Sequence, residues 1–569
     1  MIISSLSTRV FSRAVRAAVQ PGDSAAVAGK KQADTILQYN QLGSFGLFLN
    51  GIRANVQTGS YRVSADYSYR NYNGYRVHSS EYAHNLDLMV ETTPTVNTRL
   101  QIIGNYFHGE DKRPGSLTKS EFDQDPYAAD PRAVNRDETR ITTREQVRVN
   151  FTSAFGRSLN QKIEISGTGR VEHFLRSTEE FKIINRFALG LNASYTNTGR
   201  IWTRANAFSI GGNLFTQPER KEEYENFSGQ KSDQLEQLKS EKTGSSMCFV
   251  SDNFELLHER LFLALNGKYE HVAYNLKEET LPSLADTKKF HAVTPEVGLD
   301  YHVTQEITLY GSYGLIFKYP TVKELESTNP AYLYNQDLKA QLSKTFNAGI
   351  RGDLFNKADA RFFRKFHFSA LFFSSVIRDE MVPYEVYGEE YLRNATETNR
   401  YGFNLGGQME LYANLTFSVD YSYTHFVYKT YTANSLEADS TGNLVLIYRD
   451  FAGNREPNIP GNKLNLALAY THPLGKKTGV YGRVSYLYAG GIWLDDANTD
   501  KAGAYGLVNV LAGADVKIGH VLITASAGVN NLFDKVFVGV ANINSADKRF
   551  YYAGAPRNFT GSVNIGYVF

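Results

Sequence analysis

The chain has 569 residues, with 61 Lys and Arg against 59 Asp and Glu; a net charge of +2 excludes the basic field of a nucleic-acid binder. A single cysteine, Cys248, excludes an internal disulfide framework and a cysteine-based zinc site. Mean hydropathy is −0.37 and no apolar run is long enough for a transmembrane helix, but a spanning β-strand needs only about 9–11 residues, every second one apolar.

In chain order, segment 1–31 comes first. Arg9, Arg13 and Arg16 interrupt any apolar signal core, and no acid precedes Asp23. It is a poor secretory signal, closer in composition to an organellar transit peptide. From residue 32 onward, period-two alternation replaces helical periodicity. In 60–70, Tyr61, Val63, Ala65, Tyr67 and Tyr69 oppose Arg62, Ser64, Asp66 and Ser68. In 162–172, Ile163, Ile165 and Val171 oppose Lys162, Glu164, Arg170 and Glu172. In 415–424, Leu415, Phe417, Val419 and Tyr421 oppose Thr416, Ser418 and Asp420. In 508–518, Val508, Val510, Ala512 and Ala514 oppose Asn509, Gly513, Asp515 and Lys517. The last strand puts Val563, Ile565, Tyr567 and Phe569 on one face and ends there.

A soluble sandwich would alternate too, with its polar face in water. The predicted strands are longer than the usual 5–6 residues or so, and Tyr and Phe recur at their ends, as in membrane-interface girdles. Connections also alternate between short and long. Short turns are predicted at 57–60, 94–97, 155–160, 197–200, 258–260, 302–306, 355–360, 412–414, 472–478 and 518–520. Long polar outer segments are predicted at 108–143, 213–245, 318–343, 379–399, 429–461 and 534–556. That layout predicts an all-β fold, a transmembrane antiparallel β-barrel of about 22 strands with both termini on the periplasmic side. The final strand would close the cylinder against the first, near 32–41, so that neither edge is free.

Three stretches make the chain similar to one known family. LYGSYGLIFKYPTVKEL, 309–325, resembles the family's mid-barrel strand running into a Phe-Arg-x-Pro-Thr loop, with Lys318 and Tyr319 in place of the usual residues. VPYEVYGEEYLRNATETNRYGFNLGG, 382–407, resembles its strand–loop–strand with Asn394, Ala395, Thr398 and Gly402 at the matching positions. The C-terminal pair resembles the family's through Asn530, Asn531, Leu532, Phe533, Gly554, Pro556, Arg557 and Phe569. Segment 108–135 is similar to its third outer loop. In these stretches the chain resembles the TonB-dependent outer-membrane receptors of the ferric-siderophore type, and the resemblance implies a receptor in the bacterial cell outer membrane, surrounded by its lipid, that imports an iron–siderophore complex. Binding is then at the outer loops, with energy from the TonB complex acting through an N-terminal plug. It also implies that the terminal aromatics, Tyr567 and Phe569, are read by the barrel assembly machinery. No plug motif is visible in 1–31, so the expectation is a barrel, 32–569, without its stopper. A passive pore is then the alternative, and cobalamin or carbohydrate uptake would need a similar mouth.

Asp496, Asn498 and Asp500 have the spacing of a calcium loop, but Lys501 stands where glycine is needed and no Glu follows at the twelfth position. They are read as a polar outer loop. No catalytic residue, metal site or cofactor is assigned. For ligand binding the candidates at the outer mouth are Tyr127, Arg132, Tyr319, Tyr384, Tyr387 and Arg393. Guanidinium charge and aromatic faces are what grip a chelated, anionic ligand.

Overall fold

The computed structural model describes residues 34–280, 284–328, 332–355, 362–386, 389–411, 414–438, 444–545 and 547–569. Segment 1–31, and with it the expectation of a missing plug, lies outside them. Alternating apolar and polar side chains cannot bury a helical stripe, but they give a strand one lipid face and one wet face. Among the described residues, twenty-two strands from Thr35–Gly43 to Asn558–Val568 form one antiparallel sheet. Consecutive strands pair, and the last closes onto the first, with Asn564 opposite Tyr39 and Tyr567 opposite Ile36. The Phe569 N–H donates to the Asp34 carbonyl at 2.9 Å, so the ring is tied at its final residue.

The two faces separate as the alternation predicts. Val510 stands opposite Val484 on one side and Val529 on the other, and Val529 opposite Phe559, in a continuous apolar belt. The other face carries charge. The Asp66 carboxylate accepts from Tyr39 Oη at 2.7 Å and from Arg53 Nε at 2.5 Å, and Arg351 pairs with Asp300 at 2.8 Å. Charges that would be costly in hydrocarbon line the lumen; the belt faces lipid.

One end of the barrel is short turns. Gly59 (φ +58°) and Gly519 (φ +59°) occupy the left-handed conformation those turns require. The 197–200 turn is displaced. Residues 197–200 continue the strand Glu180–Ile201, and Trp202, at φ +56°, turns the chain. Thr198 and Arg200 find strand partners in Ala207 and Ala205, so Gly199 is not needed as a turn residue. The turn positions 412–413 and 356–360 lie outside the described residues.

At the other end, two of the six long segments are not loops. Segment 213–245 is the outer half of a hairpin, Arg204–Phe227 with Gln230–Leu257, closed by Ser228 (φ +50°) and Gly229 (φ +87°). Two successive positive φ values are the mark of the tight hairpin turn whose twist matches its strands. Likewise 379–399 belongs to strands Phe363–Val386 and Glu389–Leu411. Polar composition marked where the strands leave the membrane, not where they end. Among the described residues, the remaining outer segments carry two short helices, a 3-10 turn and three small strand pairs, Thr432–Ala438 with Leu444–Asp450, Ile492–Trp493 with Lys501–Ala502, and Val538–Ala541 with Tyr551–Ala553.

Candidate functional site

The outer mouth is built from loops that brace one another. Thr118 and Glu121 form a capping box: Thr118 Oγ1 accepts from the Glu121 N–H at 3.3 Å, and Glu121 Oε2 accepts from the Thr118 N–H at 2.9 Å. The box starts the helix Lys119–Gln124. Glu121 then receives both terminal nitrogens of Arg549, at 2.8 and 2.9 Å, from the loop before the last strand. Leu117 and Tyr551 exchange backbone hydrogen bonds at 2.9 and 3.0 Å. Leu117 is fully buried with Leu494, Phe550 and Tyr551, so three loops share one apolar cluster.

A second loop, in its described parts 319–328 and 332–340, folds onto the barrel wall. Leu325, Tyr334 and Leu338 pack against Val272, Leu276 and Leu392. Tyr274 Oη donates to the Pro320 carbonyl at 2.6 Å, and Asp286 accepts from the Leu333 and Tyr334 N–H groups at 2.8 and 3.0 Å. Asn394 grips Lys339 twice, accepting from its N–H at 2.8 Å and donating to its carbonyl at 3.1 Å. Below them Lys221 bridges Glu223 at 2.6 Å and Glu326 at 3.1 Å. Burial alone would lower Lys221; Glu326 and Glu223 more than offset it, and its pKa is raised. Glu241, buried beside them, is pushed up to about 7 by desolvation.

The third brace is Asp496, 1% exposed. Its carboxylate accepts from Tyr428 Oη at 2.7 Å, Tyr431 Oη at 3.0 Å and an Arg393 nitrogen at 3.4 Å, while its N–H donates to Asn544 Oδ1 at 2.8 Å. Next to it, one guanidinium faces two buried carboxylates. Arg400 donates to Glu456 at 2.6 and 3.0 Å and to Glu380, which Thr398 also meets at 2.5 Å. Burial, with Glu380 adding, pushes Glu456 up to about 7.

The structure brings two of the six candidate ligand residues together. The Arg393 guanidinium lies 4.9 Å from the centre of the Tyr384 ring, while its Nε donates to Tyr431 Oη at 2.6 Å. Tyr127 meets Tyr75 edge-on at 6.2 Å between ring centres. Arg132, in the same loop, pairs with Asp547 at 2.6 Å and Asp130 at 3.1 Å, and those bonds raise its pKa. Tyr319 packs on Phe290, 5.8 Å between ring centres, and burial raises its hydroxyl. Tyr387 lies outside the described residues. Sequence reasoning missed Asp496, whose motif was read only as polar loop, and the Lys221 and Arg400 clusters. The available signal was Glu and Lys alternation continuing through 219–225 and beyond the apolar belt.

Such a cylinder, with its apolar belt, charged lumen and interlocked outer loops, is a β-barrel of the outer membrane. The chain belongs to the TonB dependent receptor-like, beta-barrel family, whose model matches residues 22–532. The ferrioxamine B receptor of Salmonella typhimurium (strain SL1344) is 33% identical over 113 residues, 20% of this chain. The match spans only 16% of that receptor's length. Among solved structures, the unliganded ferric citrate transporter FecA superimposes with a TM-score of 0.73 at 15% identity, over 95% of this chain and 80% of that one. The siderophore receptor PiuA from Acinetobacter baumannii gives 0.74 at 14% identity, over 94% and 82%. At these identities the likeness to both is one of fold.

Proposed function

We propose that this chain is the barrel of a receptor that imports a ferric siderophore across the outer membrane, energised by TonB. The observation that carries this is 33% identity over 113 residues, alongside a family match over residues 22–532, to a receptor named for ferrioxamine B. The mouth supports it. Tyr384, half-buried beside Arg393, offers an aromatic face next to a cation. Tyr127, Tyr319 and Tyr387 would add further faces. Arg132 and Arg393 already hold Asp547 and Asp496, so a ligand anion that draws on their charge competes with those pairs. Binding would in that way loosen the loops it touches, a coupling carried by named ion pairs.

The test is accumulation of radiolabelled iron from ferrioxamine B in a receptor-deleted strain expressing this barrel with a receptor plug and a working outer-membrane signal joined ahead of it. The expected result is uptake that requires the energising complex, and weaker ferrioxamine binding by about fivefold in Tyr384→Ala, the worth of one cation–π or aromatic contact of about 1 kcal/mol. Uptake independent of the complex would favour the passive pore. No uptake by a correctly inserted barrel would overturn the assignment of ligand.

A further inference from the structure

One sector of the lumen wall is basic from the mouth downward. In the strand Thr139–Phe155, Val147, Val149 and Phe151 are exposed toward lipid, so Arg140, Arg144 and Arg148 alternate with them and face the lumen. The next strand, Gln161–Ser177, adds Arg176 opposite Arg140, and Arg170 opposite Gln146, midway between Arg144 and Arg148. From Arg144 through Arg170 to Arg148 each step is two residues of strand, about 7 Å. From Arg140 to Arg148 the strand covers about 26 Å, or about 20 Å of height at a tilt of about 40°.

Few of these charges are answered. Arg140 Nε donates to Asp111 at 2.9 Å. Arg170 Nη2 donates to Gln217 Oε1 at 3.1 Å, while its Nε, 3.8 Å from Glu172, has no hydrogen-bond partner among the described residues. Glu172 also stands opposite Arg144, but its carboxylate accepts from Arg186 at 3.0 Å. The Arg144 guanidinium lies over the Phe107 ring, 5.4 Å from its centre. Among the described residues no ion pair joins Arg144, Arg148 or Arg176 to a carboxylate, and Arg176 Nε is buried without a partner. The flanking strands do not compensate. On one side Phe107, Asn105 and Ile103 stand opposite Arg144, Gln146 and Arg148. On the other, Ala188 and Gly190 stand opposite Arg170 and Thr168. Elsewhere in the lumen arginines are held by carboxylates, as Arg53 is by Asp66 and Arg351 by Asp300. A row left unheld in a wetted channel attracts anions; its forks match carboxylates, and several weak sites in series let an anion enter and leave. We propose that this row is a track along which a carboxylate-bearing anion moves between the mouth and the periplasm. Under the receptor reading, on which its extension to cargo rests, the track favours a ferric chelate with free carboxylates.

Ion selectivity of the full chain in a planar bilayer tests this, under a roughly tenfold gradient of dilute potassium chloride, where screening is weak. The expected reversal potential shows chloride favoured over potassium by about threefold or more. Arg144→Gln with Arg148→Gln should remove about half of that preference or more. Citrate added on the mouth side should reduce the chloride current of the wild type and leave that of this variant unchanged. Lys463→Gln with Arg483→Gln removes two cations that have no carboxylate partner among the described residues, from another sector of the lumen. It should leave both readings nearly unchanged. Equal losses in the two double variants would mean that net charge, not the row, sets the selectivity, and would overturn the proposal. A barrel without chloride preference, or one that keeps it in Arg144→Gln with Arg148→Gln, would overturn it too. If the barrel stays closed, equilibrium dialysis of radiolabelled citrate at low ionic strength replaces the current; binding should then fall by about fivefold in the first double variant, and equal binding overturns the track. None of these arms contains iron, so their failure leaves the receptor assignment standing, and failure of ferrioxamine uptake leaves the track standing.

Discussion

Phe569 and Val568 are adjacent, yet they face different solvents. Phe569 is 61% exposed, its ring 4.9 Å from that of Tyr567 on the lipid side. Val568 lies opposite Thr35, on the other face of the closing strand. If the terminal aromatics are the assembly signal, Phe569→Asp should cut the yield of inserted barrel severely, and Val568→Asp should do so far less. Membrane fractionation with heat-modifiable gel mobility reads this, and equal yields would remove the signal role. The same one-residue logic applies within the wall. Val510→Arg, between Val484 and Val529, should destabilise the barrel by about 2–4 kcal/mol, the cost of a cation near the midplane. Asp515→Arg, on the lumen face, should change it by no more than about 0.5 kcal/mol, as for an ordinary wetted surface site. Denaturant unfolding in lipid vesicles measures both; similar costs would mean that the faces are misassigned.

At the level of strands and loops, the Arg400 cluster makes the mouth sensitive to pH. Glu456 has its pKa raised from 4.5 to about 7, chiefly by burial. A raised carboxyl binds its proton more tightly folded than unfolded, so the contribution of this group to stability grows as pH falls from 7 to 4.5 and declines as pH rises. The shift corresponds to at most about 3 kcal/mol. Glu456→Gln should abolish that slope, read as hydrogen exchange of amides 451–457 across this window. An unchanged slope would show that Glu456 is not its source. How much of this was legible beforehand differs between wall and mouth. Strand alternation is a local, period-two signal, so the lipid face of 508–514, the turn at Gly59 and the closing strand could all be read from short windows. Segments 213–245 and 379–399 misled because charge signals contact with water, and a strand that has left the membrane is as wet as a loop. Asp496 was illegible for another reason. Its partners Tyr428, Arg393 and Asn544 come from three other outer segments, and nothing in the spacing of Asp496, Asn498 and Asp500 points to them.

For the whole molecule the governing fact is closure. An open sheet would leave a row of unpaired backbone groups in hydrocarbon, where each costs several kcal/mol. Here the first strand is satisfied from both sides, by Leu47–Thr58 and by Asn558–Val568. The lumen charges and the mouth loops are then held by a continuous wall, so a loop pair such as Glu121 and Arg549 can bridge segments far apart in sequence. The register of that seam is a sharp claim, because a slip of one residue would turn the lipid belt of the last strand toward the lumen. Gln41 stands opposite Ser562, both on the lumen side, where Ser562 also meets Ser526 Oγ at 2.7 Å. In a Cys248→Ser background, Gln41→Cys with Ser562→Cys should form a disulfide on mild oxidation, since directly opposed residues on one face bring their Cβ atoms within about 5 Å. The link would join the two ends of the chain into a covalent ring and change its mobility on a denaturing gel. Gln41→Cys with Val563→Cys points the two thiols to opposite faces of the wall and should stay reduced. Cross-linking of the second pair but not the first would shift the seam by one residue. Failure of both pairs in a barrel that still resists protease would mean that the sheet does not close between its first and last strands.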